Sequence, residues 1–364
     1  KILKNRLQRQ GRKSMIRFYL KKHPKGLTMK KLIPVLLIGS GIGIVGCGRQ
    51  PSGTPTDGTI TLNYANFPPS ATFPCVQMER WKQEVETRTG GALKINTFPG
   101  GTLLGAKDIF DGVIAGTADI GNFAMSYQPG RFPVSEAMDL PHFFPDAKNA
   151  SRILAGLIER FKPDEFKQVK VLAVFTCPPA MVMSSKEIKT LEDLKNLPLR
   201  SSGTGAEVMK RLGAAPVAMP QSDVPDALQK GVVKGNVSSG EVLKDMNYAA
   251  YCPFVYKADL CVISFAVVMN KAKYEALPET VKQVLDGLYH EHAEWTGAYV
   301  DQHVRAALDW SREQHALVIH EPTEADRAAL RATAQPMFAD YVSRIGAKGI
   351  DAEAVLEYIR GQLP

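Results

Sequence analysis

From residue 60 onward this 364-residue chain alternates two kinds of apolar pattern, and that alternation is its tightest constraint. A period of two places successive side chains on opposite faces of a strand, whereas recurrence every three to four residues builds one stripe of a helix. Segments 60–65, 93–98, 120–124, 170–175, 197–200, 217–219 and 261–270 read as strands. Segments 76–89, 107–115, 206–212 and 224–230 read as helices, with a short one at 191–194. Asn66-Phe67-Pro68-Pro69 ends the first strand, Gly90-Gly91 closes the first helix, and Pro99-Gly100-Gly101 makes a turn. From Pro278 to about Gln314 the helical pattern hardly breaks, and two more helices finish the chain. Strands and helices in alternation predict α/β domains with mostly parallel sheets. No internal repeat of fixed period is visible.

The first 58 residues do not share this pattern. Met29-Lys30-Lys31 opens a basic region, and 32–45 is an apolar run broken by Pro34, Gly39, Gly41 and Gly43. A spanning helix needs about 20 apolar residues, so this run fits a secretory signal instead. Ile44-Val45-Gly46-Cys47 then resembles a bacterial lipobox, which implies cleavage before Cys47 and its acylation. Segment 29–46 is therefore expected to be a lipoprotein signal peptide, and 1–28 an upstream extension outside the native protein. Residues 47–58, rich in Gly, Pro, Ser and Thr, read as a lipidated flexible tether. Residues 1–46 hold twelve Lys or Arg and no acid, so removing them turns the formal charge of +8 into −4. The body gives no electrostatic reason to bind nucleic acid. The expected location is the periplasm, with lipid as the only membrane attachment.

Four cysteines remain in the body: Cys75, Cys177, Cys252 and Cys261. An exported protein can oxidise them, and Cys252 could bridge to Cys261; the alternative is four free or buried thiols. Their spacings match no zinc site, and His290 and His292 stand two apart on a helical pattern and so point different ways. No metal or cofactor is expected. No P-loop, G-x-S-x-G, H-E-x-x-H or nucleophile–base signature appears, so no catalytic residue is assigned and an enzyme is not expected.

Four blocks carry a resemblance. FPGGTL at 98–103 with GVIAGTADI at 112–120, LEDLKNLPLR at 191–200, VAMP at 217–220 with ALQKGVVKG at 227–235, and VVMNK at 267–271 with Leu277-Pro278 stand in order along the body. Together they resemble DctP-type solute-binding proteins of tripartite ATP-independent periplasmic (TRAP) transporters. The resemblance implies a two-lobed periplasmic-binding-protein clamp, with a long helix bridging both lobes and the solute in the cleft. It divides the body into lobe I, 59–181 with 266–306, and lobe II, 182–265 with 307–364. It also implies a small organic carboxylate as solute, and the small and large membrane subunits of a TRAP transporter as partners.

By that resemblance Arg200, ending a strand, holds the carboxylate, and a guanidinium presents parallel donors that suit it. Asn66, Phe67, Thr72, Phe73, Met125 and Tyr127 are candidates from the first lobe, beside the alternatives of plain turn or core packing. Ser202 and Thr204 could cradle the same carboxylate. Ser238 stands where the family has a ligand-contacting Asn. Glu241 could meet a solute hydroxyl or amine, or simply cap a helix. The second arginine of some dicarboxylate binders is replaced by Pro178-Pro179-Ala180-Met181. A single arginine and apolar walls favour a monocarboxylate, aromatic or branched, because a second buried carboxylate would lack a partner. The alternatives are a C4-dicarboxylate binder and a sensor lipoprotein acting with a signalling receptor.

Overall fold

The computed structural model describes residues 58–364. The expected extension, signal peptide, Cys47 and nearly all of the tether lie outside the described residues.

The opening unit is β1 (Ile60–Asn66), α1 (Phe73–Arg88), β2 (Leu93–Phe98), α2 (Ile109–Ile114) and β3 (Ile120–Ala124). Its strands pair in parallel, β2 and β3 flanking β1. Helix α3 (Ala147–Phe161) follows, its first turn capped by the Asp146 side chain. Strand β4 (Val169–Thr176) completes this half. The chain then crosses into a second region with β5 (Met181–Ser184), β6 (Pro198–Arg200), α4 (Gly203–Arg211), β7 (Ala215–Val217), α5 (Val224–Gln229), β8 (Gly235–Ser238), α6 (Val242–Asp245) and β9 (Phe254–Tyr256). It returns as β10 (Ser264–Asn270) and α7 (Lys271–Glu275), enters the long helix α8 (Glu279–His315), and ends with β11 (Val318–His320), α9 (Glu324–Gly346) and α10 (Ala352–Gln362).

Two sheets result, one in the order β2-β1-β3-β10-β4 and the other β11-β9-β5-β8-β6-β7. Both are mixed, not mostly parallel as the alternation suggests. The departure has a single cause. Strands β5 and β10 each enter a sheet directly from the opposite lobe, with no crossover helix, and each runs antiparallel to both neighbours. The two crossing segments lie side by side: Cys177 N–H donates to Ile263 O at 3.0 Å, and Ala180 N–H to Cys261 O at 2.8 Å. Pro178 and Pro179 between them have no N–H to donate and hold an extended backbone.

The buried side chains form two clusters, the larger of which continues from the first sheet onto Leu199 and Val237 of the second. One gathers Trp81, Phe110, Phe123, Phe175, Leu285 and Leu288; the other gathers Met183, Val224, Tyr248, Val255, Val304 and Leu308. Leu285 and Leu308 belong to the same helix, α8, whose 37 residues span about 55 Å. The bridging helix expected from the family resemblance is thus present, and its amphipathic stripe changes partner midway. His303 on α8 hydrogen-bonds both oxygens of Asp245 on α6 at 2.9 Å, fastening the second half of the helix to the second lobe. The C-terminal segment does not stay in lobe II. Tyr358 of α10 packs edge-on against Phe161 of α3, with ring centroids 6.0 Å apart. Helix α9 touches both sides, with Tyr341 Oη donating to Pro133 O at 2.9 Å and Arg211 pairing with Asp340 at 2.6 Å. These two helices, expected in lobe II, thus pack partly or wholly against first-lobe residues.

Helix α8 meets α3 so closely that Gly297 is required. A Cβ there would stand 2.5 Å from Lys148 Cα and 2.7 Å from Ala147 O, whereas one at exposed Gly287 would meet nothing within 4 Å. Gly297→Ala is expected to destabilise the fold by about 1–3 kcal/mol through overpacking. Gly287→Ala should stabilise it by about 0.5–1 kcal/mol through helix propensity. Denaturant midpoints of the two variants, moving in opposite directions, check this.

Candidate functional site

Parallel strands place the side chains at their carboxyl ends over a crevice, and two sheets facing each other enclose a space between lobes. Here that space lies beyond β1, β4 and β8. From the first lobe come Phe67, Thr72, Phe73, Tyr127, Cys177 and Phe265; from the second come Gln221, Ser238, Ser239, Glu241, Asp245 and Met246. The cavity they leave is about 50 Å³. That is room for a few waters and far below the ~300 Å³ of a typical small-molecule site. An organic solute can enter only if the lobes separate.

Its apolar side is an aromatic cluster. Phe265 stacks on Phe175 with centroids 5.2 Å apart and on Phe67 at 6.4 Å, and meets the edge of Phe73 at 5.9 Å. Tyr127 meets Phe67 edge-on at 5.4 Å. The rings hold one another, so the wall is formed in advance.

Arg200 ends β6, in register with Val217 of β7 and Asn236 of β8. Its side chain has no exposed surface. Its Nε donates to Met219 O at 2.9 Å and Nη1 to Asn236 Oδ1 at 3.4 Å; Nη2 donates to Tyr127 Oη at 3.3 Å and Ser202 Oγ at 3.4 Å. Every one of these acceptors is neutral. A buried cation ordinarily takes an anionic partner, and among the described residues Arg200 has none. Nor does it line the cavity itself: Tyr127 screens it, its hydroxyl also accepting the Gln221 N–H at 2.9 Å.

Tyr127 therefore couples the lobes, since it stands on lobe I and both its partners stand on lobe II. The same approach presses Gly203 against Ser126. Gly203 has φ +53°, and a Cβ there would come 2.7 Å from Ser126 Cβ.

Glu241 lies on the cavity wall with 3% of its surface exposed. It precedes the short helix α6, but its side chain makes no capping bond. The alternative of a simple helix cap is thereby removed. Ser239 Oγ donates to its Oε1 at 2.7 Å, and Oε2 is buried without a partner. Burial pushes the carboxyl up to about 7, with the Ser239 hydrogen bond opposing and Asp245 adding to the rise. Gln221, at the same cavity, also has both side-chain amide atoms buried and unpartnered.

The remaining candidates sort themselves by position. Phe67, Thr72, Phe73, Tyr127, Ser238 and Glu241 come together on this cavity, with Arg200 and Ser202 behind Tyr127. Asn66 does not reach it: its Nδ2 donates to Pro74 O at 3.0 Å, and its Oδ1 accepts from Asn122 at 3.0 Å. Met125 and Thr204 face a separate inter-lobe crevice of about 710 Å³ bounded by α9. Phe265, expected as an apolar wall, lines the smaller cavity too, and Gln221, Ser239 and Met246 do so although no motif marks them as contacts. Gln221 carries a signal in hindsight, since it follows Val217-Ala218-Met219-Pro220 at the crevice end of β7.

All four body cysteines are free and buried. The bridge between Cys252 and Cys261 does not form; both thiols are pushed up to about 12 by burial, as is Cys75, and Cys177 rises well above the usual thiol range. None has the thiolate character of a nucleophile.

The chain matches the model of bacterial extracellular solute-binding proteins, family 7 (DctP), over residues 65–344. It belongs to that family. A TRAP periplasmic solute-binding protein of Desulfovibrio salexigens is 45% identical, with a TM-score of 0.76 over 83% of this chain and 95% of its own; it was solved open, with the C-terminus of a symmetry mate in its ligand-binding site. A TRAP solute-binding protein of Rhodoferax ferrireducens, in complex with copurified benzoate, is 27% identical with a TM-score of 0.80, covering 84% and 97%. A marine-metagenome TRAP protein specific for aromatic acids, in complex with 3-hydroxybenzoate, is 26% identical with a TM-score of 0.79, covering 84% and 98%.

The Glu241 carboxyl has a visible consequence for stability. Its folded pKa, about 7, lies above the ordinary 4.5, so between these values the native protein keeps a proton that the unfolded chain has released. Its contribution is intact below pH 4.5 and is lost as pH rises through 7. Glu241→Gln should therefore gain stability relative to the parent between pH 5 and 7.5, on the order of 1–3 kcal/mol. Urea melts at the two pH values, compared as a difference, check the sign.

Proposed function

We propose that this protein captures a small organic monocarboxylate with an aromatic or branched body, closes its lobes on it, and presents it to the small and large membrane subunits of a TRAP transporter. The observation that carries this reading is Arg200, a fully buried guanidinium whose acceptors are all neutral, placed directly behind an aromatic-walled cavity. A carboxylate arriving with the lobes apart would take the place of the Tyr127 oxygen at Nη2 and supply the missing counter-charge. Charge-assisted hydrogen bonds of this kind contribute about 1.5–3 kcal/mol each. Rings at Phe67, Phe73 and Phe265 would take the apolar body. The benzoate and 3-hydroxybenzoate held by two relatives support an aromatic acid.

A C4-dicarboxylate fits less well, because Glu241 and Asp245 line the cavity and no Lys or Arg does. A second carboxylate would meet an acid without a compensating cation. Within the same reading the solute is released unchanged. The crossings at 177–180 and 257–263 act as the hinge, and the division into lobes follows the two sheets. The chain is held at the membrane through a lipid on Cys47, as Ile44-Val45-Gly46-Cys47 supports.

Thermal unfolding of the purified chain with a panel of organic acids tests this. A monocarboxylate at one hundred times its Kd should stabilise the protein by about 2.7 kcal/mol, and Arg200→Ala should abolish the shift. A full response from Arg200→Ala, or stabilisation by dicarboxylates alone, would sink the monocarboxylate assignment. Closure is tested by Gly203→Ala. A Cβ at that left-handed position strains the backbone by about 1–2 kcal/mol and pushes on Ser126, so affinity should fall roughly tenfold by calorimetry.

A further inference from the structure

Beyond the guanidinium and the ring wall, the cavity carries one polar feature that a simple apolar acid would leave unanswered. Glu241 is buried, aimed at the cavity rather than at the helix it precedes, and holds one oxygen through Ser239 while the other has no partner. No described side chain donates to that second oxygen. Asp245 is engaged by His303, and the Gln221 amide on the same wall is likewise unpartnered. The apolar surface beside it comes from Phe67, Phe73 and Met246. A solute group that reached this oxygen would complete its hydrogen bonding.

We infer that the solute bears a hydroxyl on the part of its body remote from the carboxylate, and that Glu241 Oε2 hydrogen-bonds it. This inference rests on the monocarboxylate reading and narrows it to hydroxy acids. A hydroxyl suits this position better than other polar groups. It donates to an ionised carboxyl and accepts from a protonated one, so it is matched in either state of a group whose proton is held to about pH 7. A second carboxylate would be repelled by the ionised form. An ammonium requires the ionised form and would be stripped of water against a phenyl and thioether surface. Glu241 is in this sense a specificity-determining residue, since it holds nothing essential to the fold of α6 and leaves a buried acceptor unpaired when the hydroxyl is missing.

Calorimetry on the purified chain with matched acids decides it: benzoate against 3-hydroxybenzoate, phenylacetate against 3-hydroxyphenylacetate, butanoate against 4-hydroxybutanoate, and 3-(aminomethyl)benzoate as the cationic counterpart. In at least one pair the hydroxylated acid should bind the parent at least tenfold more tightly. Glu241→Met, close in volume and unable to pair, should bring that pair within about twofold, while Arg200→Ala weakens both members alike. If acids bind with no hydroxyl preference in any pair, or the preference survives Glu241→Met, the role of Glu241 is overturned and the monocarboxylate reading stands. Preference for the aminomethyl acid overturns the hydroxyl in favour of a cation. If no acid binds the parent, the carboxylate reading itself fails. The parent comparison needs no variant, so a Glu241→Met that does not fold leaves the test intact.

Discussion

Everything at the cleft depends on one unbalanced charge. Arg200 sits at the end of a strand in the second lobe, wholly buried, and is held by carbonyl, amide and hydroxyl oxygens. Neutral dipoles orient a guanidinium without cancelling its charge, and moving a cation out of water costs several kcal/mol unless an anion meets it. Among the described residues, the Arg200 charge is therefore left without a counter-ion. Tyr127 shares in this, because its hydroxyl accepts from the guanidinium and from the Gln221 N–H at once. One oxygen from the first lobe thus stands where an anionic oxygen would be worth more.

The larger core continues from the first sheet onto Leu199 and Val237 of the second, and the scaffold sets the two sheets on either side of the site. They are joined by two extended crossings that hydrogen-bond to each other, by α8, and by α9. The cavity between the sheets, about 50 Å³, lies where these connections meet. Arg200 and Glu241 both belong to the second lobe and the ring cluster to the first. Charge and apolar surface thus reach the cavity from opposite lobes.

Much of this was legible in the residues, for identifiable reasons. Strands 60–65, 93–98 and 120–124 and the helix after Pro278 stand out because their apolar periods are long and uninterrupted. Arg200 stood out because it ends a recognisable block. Strands β5, β8, β9 and β11 were missed; each is three or four residues long, too short for a period to show. The contact of α10 with Phe161 was not legible, because an amphipathic stripe says that a face is covered and not by what. Asn66 illustrates the same limit within the site. Its position after β1 suggested a contact, yet the amide is used up by Pro74 and Asn122.

The sequence by itself determined the class of fold, the family and the presence of a bridging helix, and it singled out Arg200 as a candidate, since these depend on local periods and on motifs contiguous in the chain. Only the tertiary structure decided that Arg200 lacks a counter-ion, that Tyr127 screens it, that Glu241 faces the cavity with a free oxygen, and that Met125 and Thr204 belong to another crevice. The physical reason is that charge compensation and hydrogen-bond saturation are sums over neighbours brought from distant parts of the chain. Tyr127 and Arg200 are 73 residues apart, and no local pattern records that their polar atoms meet.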